Sequence, residues 1–138
     1  MWQLAVKPGR PLMFGQIGYA IMVGLPGNPV AVFVCFLMYV YPVLRRLGGG
    51  AWPQPVRYHV PAAFALNRRK TGRREFWRGT ARQTETGLVI DKFPRDGSGL
   101  ISGLTFSNGL IEIPENLERV ELGQPVAFIP YNQFSIVN

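Results

Sequence analysis

Two rhythms of apolar and polar residues divide the chain. In its first third, apolar residues come in continuous blocks, at 12–14, at 20–25 and in the uncharged run 30–44. The first two blocks, separated by Gly15-Gln16-Ile17-Gly18, predict strands, and the third predicts a buried helix. Pro42 inside that run predicts a kink or an end near Tyr41, with Gly48-Gly49-Gly50 as the stop. The run is shorter than the ~20 apolar residues that a membrane-spanning helix needs. A continuous apolar strand feeding directly into a helix argues for a layered α/β core with both sheet faces covered. The pattern resets across 48–55, Gly-Gly-Gly-Ala-Trp-Pro-Gln-Pro. Beyond it, short strands are predicted at 57–60, 75–82, 88–91, 110–113 and 125–129, with Gly, Pro or Asn near most of their ends, a spacing that suits a small β-barrel or sandwich. The pattern therefore predicts an α/β segment followed, after the 48–55 break, by a small all-β barrel or sandwich.

The junction between the second strand and the helix, Leu25-Pro26-Gly27-Asn28-Pro29-Val30, carries the first chemical signal. Asn28 suits an N-cap, because its side-chain oxygen accepts from an amide two or three residues on, and Pro29 suits the first helical position, where no N–H is needed. The free amides of such a turn, with the positive end of the helix dipole behind them, suit a phosphate, carboxylate or oxyanion. A plain helix start has the same spacing, and spacing alone leaves both readings open.

Composition narrows the class. With 47% hydrophobic residues the chain is globular and not disordered. A single cysteine, Cys35, lies between Val34 and Phe36 and reads as a buried thiol, with no disulfide possible within one chain and a reducing, cytoplasmic setting as the simplest home. The first residues, Met1 to Lys7, show no secretory pattern. The net charge is +7, and Arg57, Arg68, Arg69, Lys70, Arg73, Arg74, Arg78 and Arg82 supply eight of the fifteen basic residues. With Phe76 and Trp77 among them they read either as a nucleic-acid face or as a solvated hairpin tip. Trp77 reads as a barrel-packing residue, and His59 has no second ligand nearby for a metal. Asp91 and Asp96 read as turn residues, and Glu115 and Glu118 beside Arg119 as a solvated surface turn.

Four ordered motifs then carry a resemblance that spans nearly the whole chain. Lys7-Pro-Gly-Arg-Pro-Leu-Met-Phe-Gly15 resembles a KPGKPxxFG segment, and Gly24-Leu-Pro-Gly-Asn-Pro-Val30 a GLPGNPV signature. Gly72-Arg-Arg-Glu-Phe-Trp-Arg-Gly79 is similar to GRxxFxRG, and Gly97-Ser98, Ser102 and Asn108-Gly-Leu-Ile-Glu-Ile-Pro114 to a GS…S…NGLIVLP ending. Together they resemble the molybdopterin molybdenumtransferase family, which includes MoeA and the gephyrin E domain.

The resemblance implies that residues 1–49 are the end of a molybdopterin-binding α/β domain and 50–138 a C-terminal β-barrel. It implies part of an enzyme of molybdenum cofactor biosynthesis that inserts molybdate into adenylylated molybdopterin and releases AMP, with magnesium as cofactor. Molybdate is a dianion, so the site needs cations and donors that hold its oxygens while they are displaced. By the resemblance, Lys7, Arg10, Arg73 and Ser98 bind molybdate, and Pro26, Gly27, Asn28 and Pro29 shape the pterin and phosphate side. Arg10 stands where the family usually has lysine, and Ala31 where it often has serine. The resemblance also implies a cytoplasmic homodimer at full length, small anionic substrates, no nucleic-acid partner and no membrane span. A GGxSxGxxD segment and two N-terminal domains precede this region in the family and are absent from this sequence. The chain is accordingly expected to hold no complete catalytic set and no metal site, and to be inactive alone. A non-enzymatic interaction or scaffold role of the gephyrin type is the alternative.

Overall fold

The chain runs β1 (Trp2–Gln3), β2 (Val6–Lys7), β3 (Met13–Ile17), β4 (Ala20–Gly24), α1 (Pro29–Cys35), a π-helical turn (Phe36–Val40), α2 (Tyr41–Leu47), β5 (Tyr58–Pro61), β6 (Arg74–Thr84), β7 (Gly87–Lys92), β8 (Gly109–Ile113), β9 (Pro125–Pro130) and a closing 3-10 turn (Tyr131–Gln133). The computed structural model describes residues 2–3, 6–7, 13–25, 29–93 and 107–134. Each of the seven strands read from the apolar pattern is present, with ends shifted by a few residues at most.

Two sheets share these strands. A small antiparallel sheet has the order β1-β3-β4, and a larger one has the order β2-β6-β8-β9-β5 with β7 added to β6. The long β6 takes β8 along one edge, from Glu75 to Gly79. Its other edge takes β2 in parallel at Arg74 and Glu75, and β7 from Gly79 to Thr84. The larger sheet curls until β5 reaches β7: Ala62 bridges Ile90, and the Ala63 amide donates to the Ile90 carbonyl at 2.8 Å. The result is a nearly closed barrel whose interior holds Val60, Ile90, Ile111, Ile113, Val120, Val126 and Phe128.

Strand β8 explains how the helix joins the barrel. All five of its residues are buried, so both of its faces need cover. Ile111 and Ile113 face the barrel interior, whereas Leu110, one residue out of phase, packs with Phe76, Ile129 and Phe134 beneath Val34 and Leu37 of the helical segment. Phe33 adds an edge-to-face contact with Tyr131, ring centroids 5.5 Å apart. The apolar run 30–44 thus spends its inner face on the barrel. This corrects the expectation of a layered α/β core over residues 1–49, because the described helix covers the outside of the barrel. Exposed apolar side chains gather instead on the β3–β4 hairpin, at Ile17, Tyr19, Ile21 and Met22.

The helix is interrupted where Pro42 requires it. Proline has no amide to donate and its ring crowds the carbonyl four residues back, and the turn before it widens so that the Tyr41 amide reaches the Phe36 carbonyl. At the far end the Gly49 amide donates to Arg46 and the Gly50 amide to Arg45, the paired bonds of a Schellman stop. Among the described residues no helix is long and apolar enough to cross a membrane.

The Asn108-Gly109 pair closes the barrel wall. Asn108 imitates a strand neighbour: its Oδ1 accepts from the Ala81 amide at 2.8 Å and its Nδ2 donates to the Ala81 carbonyl at 3.3 Å. Gly109 lies under the Phe128 ring, and a Cβ there would stand 2.3 Å from ring carbons and 2.6 Å from the Ile129 carbonyl oxygen. Gly109→Ala is therefore expected to destabilise the fold by about 2 kcal/mol, through overpacking against backbone that cannot yield. Urea denaturation checks this, and an unchanged midpoint would contradict the close packing. Cys35 is buried, and burial pushes its thiol up to about 11. It should resist alkylation at pH 8 in the native protein and react only on unfolding, which mass spectrometry of reagent-treated protein reads directly.

Candidate anion-binding site

The start of β6 gathers the chemistry that the sequence distributes. Arg73 immediately precedes the strand, and β2 lies alongside with Val6 opposite Arg74 and Lys7 opposite Glu75. The backbone of Lys7 therefore sits one strand away and two residues along from Arg73. The same short stretch of chain connects the two sheets, since β1 belongs to the small one and β2 to the barrel.

Most of the basic cluster is committed elsewhere. Glu112, 6% exposed on β8, accepts from Arg57 Nε at 2.6 Å and from Arg74 Nη1 at 3.0 Å. Arg74 also donates from Nη2 to Glu115 at 3.1 Å. Arg69 pairs with Glu75 at 3.3 Å, Arg68 with Glu118 at 3.6 Å and Arg82 with Asp91 at 2.7 Å. Arg78 is buried with its guanidinium 4.7 Å from the centre of the Phe93 ring. Among the described residues, no carboxylate pairs with half-buried Arg73 or exposed Lys70. Five of the eight basic residues of this run, Arg57, Arg68, Arg69, Arg74 and Arg82, are thus held in ion pairs.

The electrostatics follow from these contacts. Burial opposes the charged form of Glu112, but Arg57 and Arg74 outweigh it and hold the carboxyl below its ordinary range. The Arg74 bond, with its own backbone amide, does the same for exposed Glu115. Arg74 is in turn raised, by Glu115 first and Glu112 next, against a desolvation penalty. Burial pushes the Tyr39 phenol up to about 12, and the Arg74 charge moderates that rise, which places the helical segment within reach of this ion network.

The residues expected at the site divide by what the structure describes. Lys7 and Arg73 are brought to one sheet edge, and Pro29 opens α1. Arg10, Pro26, Gly27, Asn28 and Ser98 lie outside the described residues, as does Asp96. Ala31, where a serine is common, is buried, so a hydroxyl there would need a partner of its own. Asp91 is a strand residue of β7 paired with Arg82, which corrects the turn reading. Glu115 and Glu118 are surface residues whose partners are Arg74 and Arg68, while Arg119 donates to the Asn67 carbonyl. Trp77 packs against Phe64 with its ring nitrogen donating to Glu75 at 2.7 Å, as a barrel-packing residue should. His59 is exposed on β5, and among the described residues no group of three or more His, Cys, Asp and Glu side chains gathers for a metal.

Sequence reasoning missed Glu112 and Arg69. A lone glutamate between two isoleucines in a fully apolar strand, Leu110-Ile111-Glu112-Ile113, was a usable signal, because a carboxylate in such a place needs cations around it. Arg69 gave no signal beyond its membership of the basic run.

Comparison with known proteins shows the family to which the chain belongs. The family described as the MoeA C-terminal region (domain IV) matches residues 60–131, from β5 to the closing 3-10 turn. The molybdopterin molybdenumtransferase of Haemophilus influenzae is 34% identical over 133 residues, covering 95% of this chain and 33% of that protein. Molybdopterin molybdenumtransferase 2 of Mycobacterium tuberculosis is 34% identical over 122 residues, covering 88% of this chain and 29% of its own length. A molybdenum cofactor biosynthesis protein from Pyrococcus furiosus superposes with a TM-score of 0.74 at 31% identity, covering 94% of this chain and 44% of that one. The chain thus spans about one third of the length of the curated relatives that it matches.

The Glu112 network makes stability depend on pH in a defined sense. Its folded carboxyl is depressed, so its stabilisation is full above the unfolded value near ~4.3 and is lost as the pH falls through the folded one. Glu112→Gln is expected to cost roughly 2 kcal/mol at pH 7, below the range for a wholly buried pair because both guanidiniums are about one third exposed. The deficit should shrink towards pH 3. Denaturation of both proteins across pH 3–7 checks this, and a pH-independent difference would contradict it.

Proposed function

Because the chain belongs to the family of the MoeA C-terminal region (domain IV), we propose that it is the C-terminal third of a molybdopterin molybdenumtransferase. In this reading, residues 1–49 are the end of the molybdopterin-binding α/β domain and 50–138 the C-terminal barrel, together one wall of a larger substrate site. The observation that carries it is Arg73: a half-buried cation at the mouth of β6, unpaired with any described carboxylate, beside the strand that bears Lys7. An ion-paired arginine is already neutralised, whereas Arg73 keeps its charge and its donor fork for an incoming dianion.

The chemistry assigned to this wall is to hold molybdate while the two sulfurs of adenylylated molybdopterin displace its oxygens, which leave as water with the thiol protons, and cleavage of the adenylyl phosphoanhydride by water releases AMP. Lys7, Arg10 and Arg73 supply positive charge, and Ser98 a hydroxyl donor. Pro26, Gly27, Asn28 and Pro29 shape the pterin and phosphate side. Preorganised donors of this kind stabilise charge that moves during displacement without reorganising in the act. Of the seven described carboxylates, Glu75, Asp91, Glu112, Glu115 and Glu118 are engaged by arginines, and with Glu85 and Glu121 they form no group of three suited to a cation, so the described carboxylates do not fit a magnesium site. At full length the protein is read as a cytoplasmic homodimer acting on small anions.

A second reading, an interaction module, is favoured by one observation. At the seam between β5 and β7 an open groove of about 460 Å³ is lined by Tyr58, Leu88, Phe128, Pro130 and Tyr131. Exposed apolar side chains such as Tyr58 and Leu88 suit a peptide.

In a full-length protein containing this segment, Arg73→Ala is expected to lower molybdate insertion at limiting molybdate by ~10²-fold with the fold intact. Cofactor formation from adenylylated molybdopterin is the readout, and unchanged insertion would overturn the reading. The 138-residue chain alone should insert no molybdate, and measurable turnover by it would contradict its role as one wall of a larger site.

A further inference from the structure

We propose that Arg69 is a positioning residue that fixes Arg73 for anion binding by locking the turn between them. The proposal rests on the reading of Arg73 as a molybdate-binding cation. The Arg69 side chain is 5% exposed, unusual for an arginine in a charged surface run. Its Nε donates to the Leu117 carbonyl and its Nη2 to the Pro114 carbonyl. Its Nη1 faces the carbonyls of Lys70 at 3.1 Å and Arg73 at 3.2 Å, together with Glu75 Oε1 at 3.3 Å.

The consequence is geometric. Nη1 has two hydrogens and three acceptors, so its bonds are shared, and two of those acceptors are the carbonyls at either end of the Lys70-Thr71-Gly72-Arg73 turn. One planar group thereby sets the width of the turn. The same guanidinium, through Leu117 and Pro114, fastens the turn to the segment after β8. Two backbone bonds complete the clasp, from the Arg69 amide to Glu118 at 3.0 Å and from the Gly72 amide to Glu115 at 2.9 Å. Gly72 has φ +102°, a conformation that side chains rarely adopt, and so the turn is specific to this backbone path. The peptide carrying Arg73 is held in place while its side chain makes no described ion pair. That is the arrangement of a cation kept ready for a ligand.

Lysine keeps the charge at residue 69 but replaces the planar fork with a point charge, so Arg69→Lys separates positioning from electrostatics. In the 138-residue chain, NMR relaxation should show backbone order falling at residues 71–73 in Arg69→Lys. Titration of a full-length protein containing this segment with sodium molybdate should give a Kd about tenfold weaker in Arg69→Lys. On an Arg73→Ala background, Arg69→Lys should change the Kd no further, the non-additivity that an indirect role requires. Gly72→Ala strains the same turn from its open side, where a Cβ meets nothing within 4 Å, and should weaken molybdate likewise while keeping the barrel folded. If Arg73→Ala weakens molybdate but Arg69→Lys and Gly72→Ala do not, or if Arg69→Lys has its full effect without Arg73, the positioning role is overturned. If molybdate leaves Arg73 unperturbed in the unsubstituted full-length protein, the site reading falls and this proposal with it.

Discussion

A buried carboxylate clasped by two arginines organises the described structure. Glu112 sits on a strand whose every residue is buried, on the face that the helix roofs, and there an uncompensated charge would be prohibitive. Arg57 and Arg74 make it tolerable, and in doing so they tie three distant parts of the chain together: the segment entering β5, the start of β6 and the middle of β8. Arg74 reaches on to Glu115, so the turn after β8 is fixed as well. Removing one member of the trio would leave a buried charge uncompensated.

The two-sided burial of β8 has a second consequence. One face belongs to the barrel interior and the other to the interface with the helical segment, so the barrel and residues 31–39 share a continuous packing unit. Strand β2 adds a backbone link on the far edge of β6. The candidate anion site lies where that link meets the ion network. Arginines engaged with glutamates are unavailable to a ligand, whereas the one described arginine of the β6 mouth left without a carboxylate is held by its backbone instead.

The β-strands were legible because alternation and turn residues mark them, and β6 to β9 differ from expectation only at their ends. The fate of the helix was not legible. An apolar run of that length states that it is buried but not against what, and only the period of β8, with Leu110 out of phase with Ile111, shows that the cover is the barrel. The arginine run was read by count, which cannot separate a solvated cation from a paired one when the partners, Glu112 and Glu115, lie roughly forty residues away. The Asn-Gly-Leu-Ile motif, read only as part of the family's ending, has a structural use at its first two residues: Asn108 completes a strand and Gly109 makes room for Phe128.

Anomalous diffraction at the molybdenum edge, from crystals of a full-length protein containing this segment soaked in molybdate, tests the central claim most directly. The account predicts one strong peak at the mouth of β6, within hydrogen-bonding distance of the Arg73 guanidinium and beside Lys7. A peak held by no residue of this chain, or one at the already paired arginines Arg57 and Arg74, would contradict it.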